Sequence, residues 1–151
     1  MQEQVIAFIR SFGLLRSETT PCGQPLSISE AHALRELSRC DGCSQTELGN
    51  VLQLEKSTVS RLVNQLKGKG WVERNRDPND GRAVRLRLTE PGQRLAGQVA
   101  ASRAAYFARI VEGIPPTERD DVITAFQTVV KALDGKHRPA ADASRDKRLQ
   151  T

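Results

Sequence analysis

Residues 71–88, WVERNRDPNDGRAVRLRL, hold the pattern that decides the fold. Trp71-Val72-Glu73-Arg74 has the composition of a short strand. Ala83-Val84-Arg85-Leu86-Arg87-Leu88 alternates apolar residues with arginine at the period of two that marks a half-buried strand. Between them, Asn75-Arg76-Asp77-Pro78-Asn79-Asp80-Gly81-Arg82 is dense in turn formers. The stretch predicts a β-hairpin with a basic tip.

Immediately upstream, Lys56 to Lys67 carries Val59, Leu62, Val63 and Leu66 at i, i+3, i+4 and i+7, one buried face of a helix that Gly68 and Gly70 stop. Ser44-Gln45-Thr46-Glu47 is a capping box: the hydroxyl accepts an orphan helix N–H and the carboxylate reaches back. It opens a short helix with Leu48, Val51 and Leu52 on one side. Ser27-Ile28-Ser29-Glu30 is a second capping box, followed by the apolar stripe Ala31, Leu34 and Leu37 and a predicted end at Asp41-Gly42. A first helix is expected within residues 3–16, from Val5, Ile9 and Phe12. On the far side of the hairpin, Thr89 is an N-cap for a long helix from about Glu90 to Glu112, with Leu95, Val99, Tyr106, Ile110 and Val111 as its apolar side. Pro115-Pro116 interrupts the chain. Val122, Ile123, Phe126, Val129, Val130 and Leu133 mark a last amphipathic helix that Gly135 is expected to end. Residues 135–151 have little apolar content and predict a disordered basic tail.

The predicted fold class is mainly α with a small β-hairpin: a winged helix-turn-helix over about residues 27–89. Helices at about 1–20 and 90–134 flank it within one domain, 1–134. At 151 residues the chain suits a single core. No apolar run nears the roughly 18 residues that cross a bilayer, and the first residues lack a basic, cleavable leader, so the expectation is cytoplasmic with no membrane partner. Catalysis would need a nucleophile–base pair, a metal cluster or a phosphate-cradling loop. With two histidines and no such motif, the sequence predicts a non-enzyme.

Charge concentrates where the hairpin lies. The net charge is +5, yet Lys56 to Arg87 alone holds nine basic and three acidic residues. A local excess of that kind suits a polyanion. Opposite the apolar stripe of the fourth helix, Ser57, Ser60, Arg61 and Asn64 share one face, with Lys56 and Thr58 at its start. Hydroxyls allow close approach to phosphate, and Arg and Asn match guanine and adenine edges in the major groove. At the hairpin tip, Arg82 is placed to enter a minor groove, and Asp80 to orient an arginine by ion pairing. The candidate DNA-binding residues are therefore Lys56, Ser57, Thr58, Ser60, Arg61, Asn64, Asp80 and Arg82.

Ser44 to Leu95 resembles the MarR family of transcriptional regulators. Leu48-Gly49-Asn50, Lys56-Ser57-Thr58-Val59-Ser60-Arg61-Leu62-Val63 and Gly70-Trp71-Val72-Glu73-Arg74 carry the likeness. So does Asp77-Pro78-Asn79-Asp80-Gly81-Arg82 running into Leu86-Arg87-Leu88-Thr89-Glu90-Pro91-Gly92, a wing signature of Asp-x-Arg then Leu-Thr-x-x-Gly. The resemblance implies a homodimer built through the terminal helices. It implies two recognition helices over successive major grooves of double-stranded operator DNA, roughly 34 Å apart. It further implies an effector, bound near the junction of the two regions, that releases the DNA.

Three cysteines remain: Cys22, Cys40 and Cys43. Cys40-Asp41-Gly42-Cys43 has a spacing that lets two thiolates hold one ion. Two readings stay open. The cysteines form a thiol sensor for a soft metal, a metalloid or an oxidant, or they are inert small residues near a core. No cofactor is required in either; a thiolate-bound metal or metalloid ion would act as effector. Two further alternatives are an aromatic small molecule in the dimer cleft, with the cysteines incidental, and a winged-helix module that binds protein. His32 is expected as a polar position on the second helix.

Overall fold

The computed structural model describes residues 1–16, 18–40, 42–76 and 84–137, with side chains as far as residue 133. The elements run α1 (Gln2–Phe12), α2 (Ile28–Leu37), α3 (Gln45–Leu52), α4 (Lys56–Gly68), β1 (Val72–Arg76), β2 (Val84–Leu88), α5 (Glu90–Glu112), a short 3-10 turn (Pro116–Glu118) and α6 (Arg119–His137). The chain divides into two compact units, Met1–Phe107 and a second beginning at Ala108. Among the described residues no helix is long and apolar enough to cross a membrane.

The core of the first unit gathers the stripes that periodicity marks: Leu34 and Leu37 of α2, Leu48 of α3, Val59, Leu62, Val63 and Leu66 of α4, Val72, Leu86 and Leu88 of the hairpin, and Val99 of α5. Both capping boxes form. Ser27 Oγ accepts from the Glu30 amide at 3.2 Å while Glu30 Oε2 accepts from the Ser27 amide at 2.9 Å. Ser44 and Glu47 do the same at 3.1 and 2.7 Å. The hairpin is antiparallel, with Val72 opposite Leu88 and Arg76 opposite Val84. A further bridge joins it: Cys43 and Leu86 exchange backbone hydrogen bonds, Leu86 N to Cys43 O at 2.8 Å and Cys43 N to Leu86 O at 3.3 Å. The residue that precedes the N-cap of α3 is thereby tied to the strand that leaves the wing.

Two contacts fix the base of the hairpin. Thr89 Oγ1 donates to the Gly70 carbonyl at 2.6 Å and accepts from the Gly92 amide at 3.2 Å, so one hydroxyl caps α5 and joins it to the end of α4. Gly92 lies so near Trp71 that an added Cβ would overlap the Trp71 carbonyl oxygen and stand 2.9 Å from its carbon. The glycine of the Leu-Thr-x-x-Gly signature is thus a requirement for backbone-to-backbone approach. The second contact is ionic. Glu30, 2% exposed, accepts from Lys69 Nζ at 2.5 Å, and the same ammonium lies 4.8 Å from the centre of the Trp71 ring. Burial raises the Glu30 carboxyl, but Lys69 and the Ser27 amide and hydroxyl outweigh it and hold the group below its ordinary value.

Several boundaries differ from expectation. α1 ends at Phe12, where Gly13 adopts a left-handed φ of 84°, and it buries no side chain. α2 ends at Leu37 with Ser38 as its cap, before Asp41-Gly42. Val51 is 60% exposed, because the short α3 seats Leu48 and Gly49 inward. α6 runs through Gly135 to His137; one helical glycine costs only about 1 kcal/mol and does not stop a helix by itself. Ile110 and Val111, and Ile123, Phe126, Val129, Val130 and Leu133 of α6, are exposed in the single chain. In the first unit α1 meets α5 through a ring cluster, with Phe12 5.6 Å from Tyr106 and 5.8 Å from Phe107, yet Val5 and Phe8 stay exposed. Of the tail expected to be disordered, residues 135–137 are the last residues of α6, and residues 138–151 fall outside the described residues.

Gly92→Ala is expected to lower unfolding stability by at least about 2 kcal/mol in urea titration, since backbone must move to admit one methyl. For Glu30, a lowered folded value means that the unfolded chain takes up protons first as pH falls. The pair's contribution is complete above the ordinary value of 4.5 and is lost as pH drops through the lower folded value. Glu30→Gln should therefore cost about 1–3 kcal/mol at neutral pH, with the gap to wild type closing in acid, measured by thermal unfolding across pH.

Candidate nucleic-acid interface

α3, the turn through Gln53 to Glu55, and α4 form the helix-turn-helix. The helices can approach because Gly49 leaves room for Val59: a Cβ on Gly49 would stand 3.0 Å from Val59 Cγ2. Gln53 closes α3 in the left-handed region at φ 53°, and its amide reaches Asn50 O at 3.3 Å while the Leu54 amide reaches Gly49 O at 3.0 Å. α4 begins at N-cap Glu55, which contributes no side-chain cap, and has no acid in its first turn. A helix start of that kind keeps a positive dipole end for a phosphate.

The face predicted from sequence is a face in the structure. Val59, Leu62, Val63 and Leu66 are buried, Lys56, Ser57, Arg61 and Asn64 are exposed, and Thr58 and Ser60 are half-buried beside them. Asn64 has a partner that periodicity does not signal: its Oδ1 accepts from Arg74 Nη2 at 2.9 Å, and the same nitrogen lies 3.4 Å from Gln45 Oε1. β1 is thereby braced against both helices of the motif, and Asn64 presents an acceptor already engaged. A parallel brace runs from β2, where Arg85 Nη1 meets Glu47 Oε2 at 3.3 Å. Asp80 and Arg82 lie outside the described residues, so the structure places neither.

The cysteines separate into two places. Cys22 stands 3.2 Å from Thr20 Oγ1 and lines a cleft of about 460 Å³ that includes Phe12, His32, Arg35, Arg103 and Tyr106. In that cleft, burial and the charges of Arg35 and Arg103 push His32 below its ordinary value and favour the neutral ring, against the opposing pull of Glu36. Cys40 and Cys43 lie together beside the wing base, with Cys40 Sγ 3.7 Å from Leu37 O. Burial, with the Cys40 thiol beside it, pushes Cys43 up to about 12. Among the described residues no three His, Cys, Asp or Glu side chains come together as a metal cluster, so Cys22 does not join the other two within one chain. The arginine pair of the first cleft was not singled out from sequence; Arg35 and Arg103 lie far apart in the chain and only the packing of α2 against α5 brings them to one wall.

A family model described as the MarR family matches residues 26–84. Over 61 residues the chain is 39% identical to the multiple antibiotic resistance protein MarR of Salmonella typhimurium, covering 40% of this chain and 42% of that one. The chain spans between 42% and 59% of the length of the first curated relatives it matches. Among solved structures, FabT of Streptococcus pneumoniae in complex with DNA is similar at a TM-score of 0.68 and 22% identity, over 87% of this chain and 90% of that one. The PcaV transcriptional regulator of Streptomyces coelicolor in complex with its natural ligand is similar at 0.64 and 23%, over 87% and 89%. At these identities the structural likeness establishes a shared winged-helix fold.

Gln53 supplies a test of the turn geometry. A side chain in the left-handed region costs roughly 1 kcal/mol that glycine avoids. Gln53→Gly should raise the unfolding free energy by about 0.5–1 kcal/mol in denaturant titration; a loss of stability would show that the turn is not left-handed.

Proposed function

From the MarR-family domain that residues 26–84 carry, we propose that this chain is a sequence-specific, homodimeric DNA-binding transcriptional regulator, a repressor released by an effector. The observation that carries the proposal is the outward side of α4. Its burial pattern leaves Lys56, Ser57, Arg61 and Asn64 exposed on one face, flanked by Thr58 and Ser60. These are residue types suited to phosphate and base edges and not to an apolar protein partner. Lys56 and the uncapped start of α4 take backbone phosphate. Arg61 reads a base edge, and Arg74 holds Asn64 in place beside it. Arg82 and Asp80 belong to the wing's share of the interface, with the arginine in the minor groove. The protein–protein module is the weaker rival, because α4 offers no exposed apolar patch among its described residues.

Dimer formation is supported by apolar residues that are exposed in the single chain, Val5 on α1 and Ile123, Val129 and Val130 on α6. Exposed apolar surface of this kind suits a partner, and a second copy would match half-sites repeated along a duplex. Release by a small effector is supported by the cleft around His32, Arg35, Arg103 and Tyr106. It combines aromatic walls with two guanidinium groups and suits an aromatic anion. A thiol-reactive signal at Cys40 and Cys43 is the second input, at a site apart from that cleft.

Fluorescence anisotropy with duplexes from the chain's own promoter region, at two salt concentrations, tests the proposal, because affinity set by phosphate contacts falls steeply with salt. Arg61→Ala should reduce discrimination between operator and scrambled duplex by about 1–3 kcal/mol. Lys56→Ala should weaken both alike and lower the salt slope by about one, and Arg82→Ala should weaken binding. Unchanged binding in all three variants would overturn the assignment.

A further inference from the structure

Cys40 and Cys43 form a site that the DNA-binding face does not use. Cys40 follows the end of α2, and Gly42, at a left-handed φ of 88°, turns the chain between them. Both thiols are half-buried, neither is in a disulfide, and Cys40 lies near enough to Cys43 to raise its thiol. Access comes through a second cleft, about 660 Å³, that Cys40 lines with Leu37, Glu73, Arg87 and Gln93. Cys43 is held at its backbone, since both its N–H and its carbonyl are bonded to Leu86 of β2. The next residue, Ser44, is the N-cap of α3. Any ligand that draws the two sulfurs onto one atom therefore pulls on the wing strand and on the start of the helix-turn-helix together.

We propose that Cys40 and Cys43 are a chelating dithiol that captures a trivalent arsenical or a ligand of the same thiophilic class, and that capture loosens the wing base. The chemistry needs no oxidant. An organic arsine oxide exchanges its oxygen for two sulfurs: both S–H bonds break, two As–S bonds form, the oxygen leaves as water with the two protons, and arsenic stays trivalent. Peroxide attack needs a thiolate, and the raised Cys43 thiol disfavours one at that sulfur. Cys22 has no part, because it lines the other cleft.

The link to DNA rests on the function proposed above, so the two are tested separately. Purified, reduced full-length protein is treated with phenylarsine oxide and examined by intact and peptide mass spectrometry. One adduct per chain is expected, its mass gain equal to a phenylarsenic group less two hydrogens and mapped to the peptide holding Cys40 and Cys43. Cys22→Ser should retain it, and Cys40→Ser and Cys43→Ser should each lose the bridged form while keeping a wild-type circular dichroism spectrum. Absence of the bridged adduct, or its dependence on Cys22, overturns the site. Anisotropy of the adduct on duplex DNA should then show affinity lowered by about tenfold, within the usual range of coupling between sites. An adduct that binds DNA as tightly as the untreated protein overturns the link to the wing. If the reduced protein binds no duplex, the function proposed above fails, while the mass measurement still decides the site.

Discussion

The burial of one side of α4 sets the terms for everything around it. Val59, Leu62, Val63 and Leu66 all lie in the core, and each such side chain contributes about 1.5–3 kcal/mol when removed from water. Turning the helix by one residue would expose part of that stripe and carry Ser60 and Asn64 inward, without partners for their polar atoms. The rotation of α4 is therefore fixed by its apolar side. Which residues the opposite side turns outward follows from that packing. Gly49 enforces the same arrangement from α3, since anything larger would press on Val59.

Much of this was legible in the sequence because its signals are local. A capping box spans four residues, an amphipathic stripe eight, an alternating strand six, and each appears in the structure close to where its residues place it. What was not legible depends on residues that meet across the fold. Nothing near Arg74 announces that it donates to Asn64, or near Glu30 that Lys69 will neutralise it, 39 residues away. The bridge from Cys43 to Leu86 is a backbone pairing at a single position, too short to leave an alternation. Val51 fits the apolar side of α3 by spacing, but a helix of two turns has room for few buried positions. Asp80 and Arg82 belong to the most specific sequence signature of all and lie outside the described residues.

The wing base combines two sorts of attachment. Arg74 and Arg85 are exposed or half-buried links of hydrogen bonds and charge to α3 and α4, screened by water and individually weak. Thr89, Gly92 and Lys69 join backbone and buried carboxylate, and these are the contacts that carry stability. The arginines are thus held near their positions without being locked there, which suits groups whose field faces outward. The firm attachments sit behind them.

Gly92 leaves no slack between the first turn of α5 and the carbonyl of Trp71. Two surfaces in backbone contact cannot slide past one another without separating first, and the Thr89 hydroxyl holds them closed. The start of α5, the exit of α4 and the root of β1 consequently behave as a single welded corner. A push arriving along α5 would swing that corner whole, so that the lever arm, and not the joint, determines how far the polar face of α4 travels.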